Sequence, residues 1–452
     1  MDSSALSLQT KIVAQIDEEI QAKLAWELLR LELDHWRETG ALIHPHILAL
    51  IHQRREALRQ LAKDEAELLF RSALAAGCGI TEWVERAWVA GVPVDAISLE
   101  ELKRDNFRIR AVAVSALGQL ECLQGKDGQF VRSIINMLVD DYPQVRVAAI
   151  HALERLQPEG EWRKHLVYEC YVPAGEFVMG DDGTDLRGKK VPAHNVWVDA
   201  FYISKYPVTN ADYKRYVDDV GHEFELPEGK IDHPVVDISW HQARDYAAWA
   251  GMRLLTEAEW EKAASWTPVT RREKGDTGTE RQADKMTHLR RQAKRQKGNG
   301  RWQRFMERLV KGGRGGKKME GQEDKVIESR KQVYPWGNES DPSQCNTGEA
   351  RLDDTTPVGM YSPEGDSPYG CADMVGNVWE WTSSLYRDYA YQADDGREDM
   401  SLSGYRVVRG GSFLSYQGVA RSAGRFGLPP YFCNLYRGFR VGMSANPRFT
   451  LK

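Results

Sequence analysis

Residues able to do redox or metal chemistry are few and far apart in this chain. Its six cysteines (Cys78, Cys122, Cys170, Cys345, Cys371, Cys433) include no C-x-x-C pair. The sequence therefore signals neither a zinc knuckle nor a dense disulfide framework, and structural thiols are expected. The run HPHILALIH brings His44, His46 and His52 close to one another, with His35 upstream. No two of them are four residues apart and no carboxylate is interleaved in the run, so ordinary imidazoles are expected rather than a metal cluster. Residues 413–436 offer a different chemistry. Phe413, Tyr416, Phe426, Leu428, Tyr431, Phe432 and Tyr436 lie there among glycines and prolines. Aromatic side chains with two χ angles bind a partner at low entropic cost, so on a fixed scaffold this is the composition of a recognition face. The competing reading places many of these rings in the core.

A third set of candidates is ionic. Residues 267–333 hold 20 Lys or Arg against 9 Asp or Glu, in a chain whose net charge is only -5. Apolar residues are sparse there except in RWQRFMERLV at 301–310. Such a composition cannot offset chain entropy by burial, so a flexible basic insert is expected over 266–333. Three readings stay open for it: a solvated insertion without a specific role, salt-dependent docking to nucleic acid or an acidic protein, and cleavage by a protease at an exposed basic loop.

The elements that must position these groups have two textures. A length of 452 residues with 42% hydrophobic and 28% charged residues fits two or three globular domains. No apolar run approaches the roughly 18 residues of a membrane span, and the start of the chain lacks the layout of a secretory signal. A cytoplasmic protein with no membrane partner is expected. Residues 8–77 carry apolar positions at helical spacing, among them Ile12, Ile16, Ile20, Leu24 and Leu28, then Leu48, Ile51, Leu58 and Leu61. Farther along, DNFRIRAVAVSALGQL (105–120) and DYPQVRVAAIHALERL (141–156) match at a spacing of 36, sharing Asp105/Asp141, Arg110/Arg146, Ala113/Ala149 and Ala116/Ala152. The pattern resembles the HEAT repeat family. That resemblance implies an all-α domain over 1–160 with stacked helix pairs, Asp capping the second helix, Arg reaching an acidic neighbour, and a protein-binding surface.

From Tyr171 onward short strand-like pieces, aromatics and turn residues take over, so a loop-rich α+β domain is expected over 168–445, after a boundary near 157–168. The stretches YVPAGEFVMG (171–180), HPVVDISWHQARDYAAWAGMRLLTEAEWEKAA (233–264), YPWGNE (334–339), DMVGNVWEWTSSLY (373–386), YRVVRGGSF (405–413) and YRGFRVG (436–442) resemble the formylglycine-generating enzyme (sulfatase-modifying factor) family, a variant of the C-type lectin fold. These residues also have local reasons of their own. Thr256 with Glu259 spells a capping box ahead of a short helix with Trp260 on its packing face, and Gly410-Gly411 allows a turn that a Cβ would hinder.

The resemblance implies a chemistry, and the sequence departs from it at the reacting centre. Family members oxidise a substrate cysteine with oxygen at a copper ion held by two thiolates that closely follow an RGGSW-like segment; soft thiolates suit Cu(I). Here the segment reads RGGSFLSYQGVARSAGRFG, Ser415 stands where the first ligand thiol is expected, and no cysteine occurs between Cys371 and Cys433. The related sulfoxide synthases need a His-x3-His-x-Glu iron motif, and none of the eleven histidines has another four residues away. No copper is therefore expected. For calcium, the resemblance implies a site built from the Asp373 side chain, the Gly376 and Val378 carbonyls and the Glu380 carboxylate, oxygen donors that suit a hard cation. In C-type-lectin-like variable proteins, the stretch equivalent to 413–436 is the ligand-binding face. The expectation is a non-catalytic recognition protein binding protein partners through that face and its HEAT-like helices, in a defence or signalling system. The alternative is a divergent oxygen-dependent oxidase using other ligands.

Overall fold

Apolar spacing in the N-terminal third can be buried only by packing helix on helix, and the chain does so before any strand forms. The computed structural model describes residues 3–58, 60–77, 79–124, 130–157, 160–267 and 331–445. Most of the basic insert, 268–330, lies outside the described residues, and with it the nucleic-acid, acidic-protein and protease readings. Helices α1 (Ser3–Thr39), α2 (Pro45–Gln53), α3 (Lys63–Ala76), α4 (Ile80–Val89), α5 (Val94–Glu101), α6 (Phe107–Gln124), α7 (Val131–Asn136) and α8 (Pro143–Leu156) follow one another. Among the described residues, none is long and apolar enough to cross a membrane.

The two matching sequence segments are α6 and α8, with α7 between them. Their small residues Ala113, Ala116, Ala149 and Ala152 are fully buried, and a Cβ at Gly118 would stand 2.6 Å from that of Ala152. The paired arginines each reach an acid: Arg110 forks onto Asp140 with two contacts of 2.9 Å, and Arg146 meets Glu169 at 2.9 Å. Neither helix is capped by the aspartate expected, and α8 has no side-chain cap at its N-cap position. Asn106 accepts the Arg108 N–H ahead of α6, and Asp140 accepts that of Tyr142. Pro143 occupies the first turn of α8, so the cap falls on Tyr142 and not on Asp141.

In the C-terminal part, three helices start at side-chain caps written in the sequence. Thr209 with Asp212, Ser239 with Gln242 and Thr256 with Glu259 form capping boxes for α9 (Asn210–Val220), α10 (Trp240–Trp249) and α11 (Glu257–Ser265). The strands are β1 (Glu169–Val172), β2 (Gly175–Met179), β3 (Gly183–Thr184), β4 (Lys190–Val191), β5 (His194–Val198), β6 (Phe201–Ser204), β7 (Arg253–Leu254), β8 (Trp379–Leu385), β9 (Arg406–Arg409), β10 (Arg425–Leu428), β11 (Arg437–Phe439) and β12 (Val441–Ser444). They form sheets ordered β1-β6-β12-β7 and β10-β9-β8-β11, plus the pairs β2-β5 and β3-β4. In the second sheet only β11 runs parallel to its neighbour, with Arg437 opposite Trp379 and Phe439 opposite Trp381.

One hydrophobic core crosses the boundary expected near 157–168. It joins Leu117, Val145 and Leu153 of the helices to Tyr202, Tyr246 and Phe439 of the sheet domain. Phe107 stacks on Tyr142 at 4.3 Å and meets Trp249 edge-on, while Gln144 donates to the Trp249 carbonyl at 2.6 Å. The helical region and the sheet domain are thus continuous in packing.

Candidate functional site

Residues 400–452 contain seven arginines and no Asp or Glu. A buried guanidinium there must find an acid on another element or close on backbone carbonyls, as Arg406 does on those of Ser383, Met400 and Leu402; α11 supplies two acids. EAEWEKAAS is buried on all faces, including Glu257, Glu261 and Lys262. Glu257 takes the fork of Arg425 at 2.6 and 3.1 Å, and Glu261 takes Arg409 and, at 2.7 Å, Lys331. Burial pushes the Glu261 carboxyl up, but Lys331 and Arg409 outweigh it and hold the group below its ordinary value. Lys262 is held by the carbonyls of Pro173 and Gly175, and burial lowers its pKa to about 8.

A similar pairing occupies DMVGNVWEW. Glu380 accepts Arg440 at 2.6 and 2.8 Å and the Trp260 indole N–H at 2.7 Å. Asp373, raised to about 6 by burial, accepts the Gly359 N–H at 2.6 Å. Gly376 is needed at its turn because a Cβ would stand 2.3 Å from the Asn346 carbonyl. Of the donors implied for calcium, the Glu380 carboxylate is already engaged in this arrangement. Both its oxygens are taken by Arg440, and one also by the Trp260 indole, so it would have to leave that pair to reach an ion.

The turn after Gly410-Gly411, where the family's copper thiols belong, is lined with neutral groups. Ser412 and Ser415 hydroxyls lie 3.3 Å apart, and Ser415 O accepts the Gly348 N–H. The thiol beside this turn is Cys345, contacted by Gln417 at 3.2 Å and raised to about 11 by burial, so it is protonated at neutral pH. Elsewhere Cys170 and Cys371, both buried, interact: contact with Cys371 and burial push the Cys170 thiol up, and the same contact pulls Cys371 down.

The seven aromatic-face residues do not form one surface. Phe413 and Leu428 are buried in the core. Phe426 is half-buried under the Arg187 guanidinium at 5.1 Å, which also covers Tyr405. Tyr416 stands out on the Ser412–Gln417 turn. Tyr431, Phe432 and Tyr436 belong to the turn leading into β11, with Tyr431 73% and Phe432 44% exposed and Tyr436 half-buried. Leu435, 69% exposed, extends this patch. At its centre is a residue the sequence reading passed over as part of YRGFRVG. Arg437 is 5% exposed, its guanidinium lies 4.6 Å from the Phe432 ring and 5.2 Å from that of Tyr436, and its Nε and Nη1 have no acceptor among the described residues. The signal available in the sequence was the acid-free C-terminal segment.

The sheets, capping boxes and glycine-dependent turns define a sulfatase-modifying-factor scaffold. The chain belongs to the sulfatase-modifying factor enzyme 1-like domain family, whose model matches residues 157–445. It is similar to the hercynine oxygenase of Mycolicibacterium smegmatis, 29% identical over 318 residues, which cover 60% of this chain and 60% of that protein. It is also similar to the inactive C-alpha-formylglycine-generating enzyme 2 of Bos taurus, 28% identical over 61% of this chain and 87% of that one. Among solved structures, PvdO from Pseudomonas aeruginosa aligns over 61% of this chain and 94% of its own with a TM-score of 0.41 and 21% identity.

Proposed function

We propose that this chain is a non-catalytic recognition protein that binds a protein partner through the exposed Tyr431–Leu435 turn, with Tyr416 as a second contact and the HEAT-like helices as a further binding surface. The observation that carries the reading is the turn at Ser412–Gln417. Hydroxyls and an amide stand there in place of the two thiolates, and Cys345 is the single thiol beside them among the described residues, so the paired soft donors that hold Cu(I) are lacking at this turn. The similarity to a relative named inactive accords with this. The test uses the purified full chain. A peptide-library selection should yield ligands whose affinity, read by fluorescence anisotropy, falls about tenfold or more in a folded Tyr431→Ala/Phe432→Ala variant. Oxygen consumption with cysteine peptides and added copper or iron should stay at the buffer rate; turnover would overturn the reading.

A second reading, a divergent oxidase, is favoured by the paired thiols of Cys170 and Cys371 and by the similarity to a relative named an oxygenase. It requires Cu(I) binding that is lost in Cys170→Ser and Cys371→Ser. The Arg440 cation beside Cys371 weighs against a metal ion there.

A further inference from the structure

We propose that Arg437 anchors a subsite for a carboxylate carried by a peptide, with Tyr431 and Phe432 receiving the apolar residue beside it. The inference rests on the recognition reading above and names the chemistry of that surface.

A comparison within the molecule carries it. Arg425 lies against Tyr386 and Tyr389 and closes on Glu257; Arg409 lies against Trp260 and closes on Glu261; Arg397 lies against Tyr391 and closes on Asp395. Arg437 repeats the ring half of this arrangement and lacks the acid half. Rings engage the faces of a guanidinium, whereas its N–H donors lie in its plane, so Phe432 and Tyr436 cannot stand in for an acceptor. Arg409 and Arg397 each leave one nitrogen unbonded, yet both hold an acid; Arg437 leaves two and holds none. Electrostatics follow the same division. Burial lowers the Arg437 pKa, and that of Arg406, which lies against Trp240 but closes on backbone carbonyls, whereas the acids raise those of Arg409, Arg425 and Arg440; Arg437 has neither acid nor carbonyl on its Nε and Nη1.

A carboxylate offers two coplanar acceptors that match the guanidinium fork. A single guanidinium suits a monoanion better than a phosphate dianion. The exposed Tyr431, Phe432 and Leu435 add apolar area that a peptide can cover and a small free acid cannot. Nε and Nη1 are sealed in the free chain, so a carboxylate reaches them through side-chain movement in this turn, which is fast where the side chains are exposed.

The experiment selects binders to the full chain at 150 mM salt, roughly physiological, from a synthetic peptide library in two arms, C-terminal amides and C-terminal free acids. The expected result is enrichment of Asp or Glu next to an aromatic or aliphatic residue in the amide arm, or of terminal acids without side-chain acids in the other, which identifies the source of the carboxylate. Exchanging Glu for Gln in a selected peptide, or Arg437→Gln in the protein, should weaken binding about tenfold or more, with Arg437→Lys recovering only part of it. The Arg437→Gln chain keeps the basic insert, so general attraction of acidic peptides to the insert survives in it. An unchanged melting temperature shows that the variant is folded. Binders without acid enrichment, or acidic binders indifferent to Arg437→Gln, overturn the carboxylate inference and leave the recognition reading standing. No binders at all overturn both.

Discussion

Arg146 of α8 and Glu169 of β1 face each other at 2.9 Å across the join between helices and sheet, with the glutamate sealed and the arginine nearly so. Glu169 Oε2 has no other partner among the described residues. Removing the cation leaves a buried carboxylate uncompensated, so Arg146→Ala is expected to destabilise the chain by about 3 kcal/mol. The check is the midpoint of urea unfolding. Because the core is continuous across this join, the helical and sheet signals should be lost together.

The contact between α6 and α8 predicts a rescue. Gly118→Ala places a methyl 2.6 Å from Ala152 Cβ, and the overpacking should cost about 1–3 kcal/mol despite the gain in helix propensity. Adding Ala152→Gly returns the space, and the double variant should be more stable than Gly118→Ala alone. Additive losses in the cycle would show that the helices had instead moved apart.

Acid should loosen the α11 network in a defined window. Glu261 is held below its ordinary value, so its stabilising contribution is fully present above the ordinary carboxylate range near about 4.3 and is lost as pH falls through its folded value. Wild-type stability should therefore drop below about pH 4 more steeply than that of Glu261→Gln. The variant should be the less stable chain at pH 7, with Lys331 left without its acid and Arg409 with only Glu257, at 3.9 Å. Parallel pH profiles for the two chains would show that Glu261 does not drive the loss.

Millimolar calcium should leave the melting temperature within about a degree, because Glu380 is engaged by Arg440 and Trp260. A rise of several degrees, abolished by Glu380→Gln, would show that the pair opens to admit the ion.

Local signals in the sequence carried far. Thr256 and Glu259 specify a helix start whatever surrounds them, and the repeated alanines and arginines of 105–120 and 141–156 specify two helices that pack closely. Tertiary charge pairing was not legible in the same way. EAEWEKAAS reads as a solvated face with one buried tryptophan, and it is buried all round because Arg409, Arg425 and Lys331 arrive from segments distant in the chain. The aromatic face was legible in composition but not in orientation. Phe413 and Leu428 point inward and Tyr431 outward because strand alternation and turn geometry decide it, and neither is fixed by residue type. The role of Arg437 is not legible in sequence for a related reason, since an absent partner is defined only once every other partner has been placed.

Where the insert departs and returns, the chain is already clasped. Trp266 bridges to Lys331, Gln332 N–H donates to the Ser265 carbonyl at 2.9 Å, and Lys331 reaches Glu261. With both ends fixed by the scaffold, the closure entropy of whatever lies between grows by only about 0.6 kcal/mol for each doubling of its length. The domain therefore works as a socket. Segments of very different size and charge can be exchanged at this point, by evolution or by design, without the sheets, the arginine pairs or the Tyr431–Arg437 turn having to change.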